Sequence, residues 1–168
     1  PPAVYNLNTS EITILPILGA DPLEINNLNE VVGIYRPTMM YEYYFKYDCR
    51  SGQLTDFGPI GEAWDDIAIN NDGVVAIGVT GINNAGHTIG HVDEVRIVDG
   101  EPEGYQNGFY RAGDYYISIG LAPFIDDAEN TYFVDINDFD QIVAWADDID
   151  GTEYFYLLTP CPFPWPLG

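Results

Sequence analysis

Ile69-Asn70-Asn71-Asp72-Gly73, followed at once by Val74-Val75-Ala76-Ile77-Gly78, is the stretch on which the reading of this chain turns. Gly73 is free to take a left-handed backbone, and the residues after it form a short β-prone apolar run. A type I turn closed by a left-handed residue reverses a strand with the twist a sheet needs, so the phrase predicts the tip of a β-hairpin. The same phrase is written three more times, as Ile25-Asn26-Asn27-Leu28-Asn29, Ile82-Asn83-Asn84-Ala85-Gly86 and Ile136-Asn137-Asp138-Phe139-Asp140. Its fifth residue is always Asn, Gly or Asp, the types that tolerate a positive φ. The chain is therefore read as a repeat protein of hairpins, all-β in class.

Working outward, alternating segments that end in a Gly or Pro break stand ahead of three tips: Ile12 to Gly19, Leu54 to Gly61 and, more loosely, Tyr116 to Ala122. Behind the tips come Val31 to Tyr35, Val74 to Gly78 and Ile142 to Ala146, whose apolar runs predict strands buried on both faces. Aromatic strands over Tyr41 to Tyr47 and Tyr154 to Leu158 complete the first and last units. Each unit thus holds about four antiparallel strands, with units near 11–50, 51–115 and 116–160. An extended arm over 1–10 precedes them and a Pro-rich tail over 161–168 follows. The middle unit is enlarged over 79–115, with a loop expected around Glu101 to Gly108. No apolar stripe of period 3.6 persists for three turns, so almost no helix is expected.

With 168 residues, 46% hydrophobic and 14% aromatic, the chain has enough apolar matter for one sizeable core. Its net charge of -22, from 27 acidic residues against five basic ones, repels phosphate backbones and anionic lipid heads. Nucleic-acid binding and direct membrane insertion are both disfavoured on that ground, and cations are the favoured small partners. The start at Pro1-Pro2 fits a removed export signal as well as it fits simple trimming. In an exported protein, Cys49 and Cys161 are expected to form a disulfide that would tie the first unit to the last, with two separate buried thiols as the alternative.

Several of these phrases, in this order, resemble the HAF-repeat proteins, bacterial extracellular repeat proteins. The likeness lies in Ile-Asn-x-x-Gly followed by a Val-Val-Gly-like strand, in Tyr44-Phe45-Lys46-Tyr47-Asp48 ahead of Leu54-Thr55-Asp56-Phe57-Gly58-Pro59-Ile60-Gly61, and in Tyr156-Leu157-Leu158-Thr159-Pro160. It covers 12–78 and 116–160. The resemblance implies secretion and an all-β array, and brings no catalytic residues with it. Units of this size resemble propeller blades, but three are too few to close a typical propeller. A propeller-like arc and a local β-sandwich both remain open, and either leaves sheet edges to be covered.

Candidate sites follow from residue chemistry. In the arm, Ala3, Tyr5 and Leu7 alternate as a strand does and could add to the open edge of a second copy; an ordinary first strand is the plainer use. Asp148-Ile149-Asp150-Gly151-Thr152-Glu153 places Asp148, Asp150 and Glu153 around a Gly turn, a set that could wrap Ca²⁺, though without the spacing of a helix-loop-helix site. His87 and His91 share a strand face with Asp93 and would suit Zn²⁺ by type, yet His87 stands where other copies carry Glu30, Val74 and Gln141, which predicts an outward position. Catalytic chemistry is thin: Ser10, Ser51 and Ser118 sit in no nucleophile elbow, and Lys46 is the sole lysine. The aromatic strand and Trp64, Trp145 and Trp165 offer flat faces of the kind on which glycans stack, although packing is the commoner use of strand aromatics.

The expectation is an exported, non-enzymatic structural protein that binds itself, through sheet edges, into an extracellular or cell-surface filament or matrix, with no cofactor beyond Ca²⁺. The competing expectation is a monomeric secreted adhesion module for glycans or another protein.

Overall fold

The fold is seen in a computed structural model that describes residues 2–7, 9–38, 41–60, 66–98, 101–119, 128–148 and 150–160. The protein is all-β, and no described residue is helical. Among the described residues every strand pairing is antiparallel, and no sheet closes into a barrel. The chain divides into two units, Pro1–Val79 and Thr80–Gly168. Residue 50 lies in the turn between two paired strands, and residue 115 begins another strand.

Unit 1 opens with the hairpin β1 (Ala3–Asn6) and β2 (Glu11–Ile14). The meander β3 (Ala20–Ile25), β4 (Glu30–Thr38), β5 (Tyr41–Asp48) and β6 (Gln53–Pro59) follows, then the short hairpin β7 (Ile67–Ile69) and β8 (Val75–Ile77). The meander is covered on both faces. Val31, Phe45 and Tyr47 point one way and pack with Leu15, Ile17 and Val4, while Val32 and Tyr44 point the other way onto Ile67 and Ile69. Alternation puts neighbouring residues on opposite faces, so the Val31-Val32 pair is buried only because both faces have a cover. Fully burying Phe45 stabilises the unit by roughly 1.5–3 kcal/mol.

Unit 2 contains the sheet β12–β11–β10–β9, from β9 (Gly81–Ile82), β10 (Thr88–Val98), β11 (Glu101–Ala112) and β12 (Tyr115–Ile119). A second sheet is made of β13 (Ala128–Ile136), β14 (Ile142–Asp148) and β15 (Glu153–Leu158). The core between them is Ile89, Phe133, Ile136, Ile142 and Ala144, flanked by Tyr110, Ile119, Tyr156 and Leu158. Gly108 makes this approach possible. A Cβ there would fall 2.4 Å from a ring carbon of Phe133, so only glycine lets the ring lie flat on β11.

Two expectations are corrected. Residues 101–108 form strand rather than loop, in register with β10 from Val98↔Glu101 to His91↔Gly108. Their polar side chains are accommodated because Tyr105 donates to Glu94 and Gln106 to Asp93 across the ladder. Neither Ile142 to Ala146 nor Val74 to Gly78 is buried on both faces: Val143 is exposed while Ile142, Ala144 and Ala146 are buried, and Val74 and Ile77 are exposed. Val143, Phe155 and Leu157 on the outer face of the β13–β15 sheet are exposed, so alternation there replaces two-sided burial.

Candidate functional site

All four Asn phrases are hairpin tips, joining β3 to β4, β7 to β8, β9 to β10 and β13 to β14. Their fifth residues carry the expected positive φ: Asn29 at 58°, Gly73 at 79°, Gly86 at 79° and Asp140 at 57°. In each, the fifth residue's N–H donates to the carbonyl of the Asn at position two, at 3.0–3.1 Å. The side chain of that Asn then folds over its own turn. Asn26 Oδ1 accepts from Leu28 N–H at 3.0 Å and Glu30 N–H at 2.9 Å, and Asn70 and Asn137 repeat the pair. This satisfies backbone donors that the turn would otherwise leave unpaired.

Within each unit the two tips also bind one another. In unit 1, Asn26 Nδ2 donates to the Asn70 carbonyl at 2.9 Å, and Asn27 N–H donates to Asn71 Oδ1 at 2.9 Å. In unit 2, Asn83 Nδ2 donates to the Asn137 carbonyl at 3.2 Å, and Asn84 N–H donates to Asp138 Oδ1 at 2.9 Å. The spacing of the partners differs, yet the bonds are the same. Asn26, Asn70 and Asn83 are buried, so a buried amide with its hydrogen bonds made fixes how the two tips meet.

A carboxylate completes each pair. In unit 1, Glu30 accepts from Asn26 at 2.8 Å and from Lys46 at 3.0 Å, and it lies where Gly73 has no side chain: a Cβ on Gly73 would come within 2.7 Å of Glu30 Oε2. Burial raises the Glu30 pKa, but the bonds from Asn26 and Lys46 and the lysine charge outweigh it and hold the carboxyl below its ordinary value. In unit 2, Asp140 takes the Asn83 amide at 2.8 Å and His87 Nδ1 at 2.7 Å, with Tyr110 Oη 3.0 Å from the same ring nitrogen. His87 is thus half-buried against Asp140, not outward as its slot in the repeat predicts.

Asp148 turns out to belong to a fifth tip, between β14 and β15. Its Oδ1 accepts from Asp150 N–H at 3.0 Å and Thr152 N–H at 2.9 Å, and Gly151 has φ 73°. The Asp148 carboxyl is held below its ordinary pKa, chiefly by the Thr152 N–H, and its Oδ2 takes the Tyr154 hydroxyl at 3.1 Å. The carboxylate expected to bind Ca²⁺ is therefore engaged in the turn. Asp150 and Glu153 are exposed beside it. No three His, Cys, Asp or Glu side chains among the described residues are grouped to hold a metal, including His87, His91 and Asp93.

The arm is strand β1, paired with β2 of its own chain through Ala3↔Ile14 and Tyr5↔Ile12. Val4 faces the core, whereas Ala3, Tyr5 (54% exposed), Ile12 (66%) and Ile14 (61%) form one outward apolar face beside exposed Leu7. Glu11 is the only charged residue in the first twenty. Cys49 is half-buried against the Leu15–Phe45 core, and burial, with the Asp48 charge, pushes its thiol pKa up. Its expected partner Cys161 lies outside the described residues, as do the tail and Trp64 and Trp165. On the outer face of β13–β15, Tyr132 stacks on Trp145 at 4.1 Å and 16°, with Phe155 exposed alongside.

No helix of the described residues is long and apolar enough to cross a membrane. Compared with protein-family models, curated proteins and solved structures, the chain matches none of them. The likeness to HAF-repeat proteins rests on the sequence phrases alone.

Proposed function

We propose that the protein is a non-enzymatic structural subunit of an extracellular or cell-surface filament or matrix, whose copies join through exposed sheet faces and open strand edges. The observation that carries this reading is the β1–β2 hairpin. It presents an exposed apolar face in a strongly acidic chain whose first twenty residues hold one charged side chain, so two copies can meet there without the mutual repulsion that acidic parts of the surface impose. The hairpin also has two open edges, since no further described strand pairs with it. Sedimentation velocity of the full chain over a wide concentration range tests the reading. Association that rises with concentration and is weakened by Tyr5→Lys with Ile12→Lys is the expected result; a monodisperse monomer throughout would overturn it.

The second reading, a secreted adhesion module for glycans or another protein, is favoured by the Tyr132, Trp145 and Phe155 face of unit 2. A glycan array separates the two: sugar binding by a monomer, lost in Trp145→Ala, supports the second reading and removes the first.

A further inference from the structure

The contact between tips has the same sense in both units. The earlier tip supplies the donors, Asn26 Nδ2 and Asn27 N–H in unit 1 and Asn83 Nδ2 and Asn84 N–H in unit 2. The later tip supplies the acceptors, a backbone carbonyl and a side-chain oxygen on successive residues. The last Asn tip therefore has its donors left over. Among the described residues Asn137 Nδ2 donates only to Gln141 Oε1 of its own tip, which leaves one amide hydrogen, and Asp138 N–H donates to none. The first tip has the complementary acceptors left over. Among the described residues Asn26 O accepts only from Asn29 N–H within its turn, and exposed Asn27 accepts at its Oδ1 from none.

A second observation points the same way. The fourth residue of the phrase is Leu28 in the first tip and Phe139 in the last, but Asp72 and Ala85 in the other two. Leu28 and Phe139 are both exposed, Phe139 by 79%. Two apolar side chains without a cover thus sit on the two tips whose hydrogen-bonding groups are unspent.

We propose that the last tip of one copy docks on the first tip of another, repeating the bonds already made inside each unit: Asn137 Nδ2 to the Asn26 carbonyl and Asp138 N–H to Asn27 Oδ1, with Phe139 packed on Leu28. The two surfaces are unlike, so the contact is head-to-tail and propagates into a filament or closes into a ring. This deepens the assembly reading and rests on it.

The test uses Asn27→Ala, which removes the acceptor at the first tip but keeps the N–H that binds Asn71, and Phe139→Ser, which alters an exposed side chain at the last tip. In sedimentation velocity on the full chain, each variant is expected to associate about tenfold more weakly or worse than the parent, the loss of roughly one hydrogen bond or one apolar contact. An equimolar mixture of the two is expected to associate more strongly than either variant alone, because the good last tip of Asn27→Ala can meet the good first tip of Phe139→Ser. Urea midpoints equal to the parent's show that each variant is folded. Association unchanged in both variants, while the Tyr5→Lys, Ile12→Lys chain dissociates, overturns the tip contact and leaves the assembly reading standing. A parent that stays monomeric at every concentration overturns both.

Discussion

Replacing Asn26 by Asp changes one NH₂ group into an oxygen and separates the two roles of this side chain. The new carboxylate keeps the acceptor bonds from Leu28 N–H and Glu30 N–H, so the turn itself is preserved. It loses the donor bonds to the Asn70 carbonyl at 2.9 Å and to Glu30 at 2.8 Å, and sets one carboxylate against another. A neutral bond is worth about 1 kcal/mol net and a bond to a charged group about 1.5–3 kcal/mol, so the expected loss at neutral pH is on the order of 3 kcal/mol or more. With a urea slope near 2 kcal/mol/M, the midpoint should fall by about 1.5 M, followed by tryptophan fluorescence of the full chain. The defect should shrink as the pH is lowered, because a protonated carboxyl regains a donor. Asp148→Asn is the control: the fifth tip uses only the shared oxygen for its turn, and this change should cost less than about 1 kcal/mol. An Asn26→Asp midpoint within about 0.3 M of the parent's would show that the bond between tips carries no weight.

Gly108→Ala should destabilise unit 2 by about 1–3 kcal/mol, since its methyl would lie 2.4–2.7 Å from three Phe133 ring carbons. Phe133→Leu in the same chain should recover part of that loss in a double-mutant cycle, and strict additivity would refute the clash. Glu30 has a depressed folded-state pKa, so its contribution is present above the ordinary value of 4.5 and is lost as the pH falls below it through the folded value. Glu30→Gln should accordingly be less stable at pH 7, with the gap to the parent closing below about pH 4.5, as measured by thermal midpoints across pH; a gap independent of pH would contradict the assignment.

The hairpins were legible because a left-handed fifth residue and a β-branched run are local signals, and the positive φ of Asn29, Gly73, Gly86 and Asp140 bears them out. The pairing of tips was not read, although its trace was in view: position two is Asn in all four copies and position three is Asn or Asp. A turn alone needs only the oxygen of the first of these, as Asp148 shows; the repeated amide marks a donor with a distant partner. Residues 101–108 misled because Gly, Glu and Asn suggest a loop, while backbone pairing with β10 over a long register decided the outcome. At 148–153 the sequence shows the carboxylates but not that Asp148 accepts from two backbone N–H groups of its own turn.

Because the oxygen of the leading Asn shapes its own bend while the nitrogen reaches outward, a five-residue word carries both its folding instruction and its means of attachment. A gene segment copied in place would bring both along, and no neighbour would have to change to receive it. Lengthening such a protein by duplication is then a conservative step, and the freedom to drift falls to those copies whose outward nitrogen has no listener, as the aspartate at position 148 illustrates.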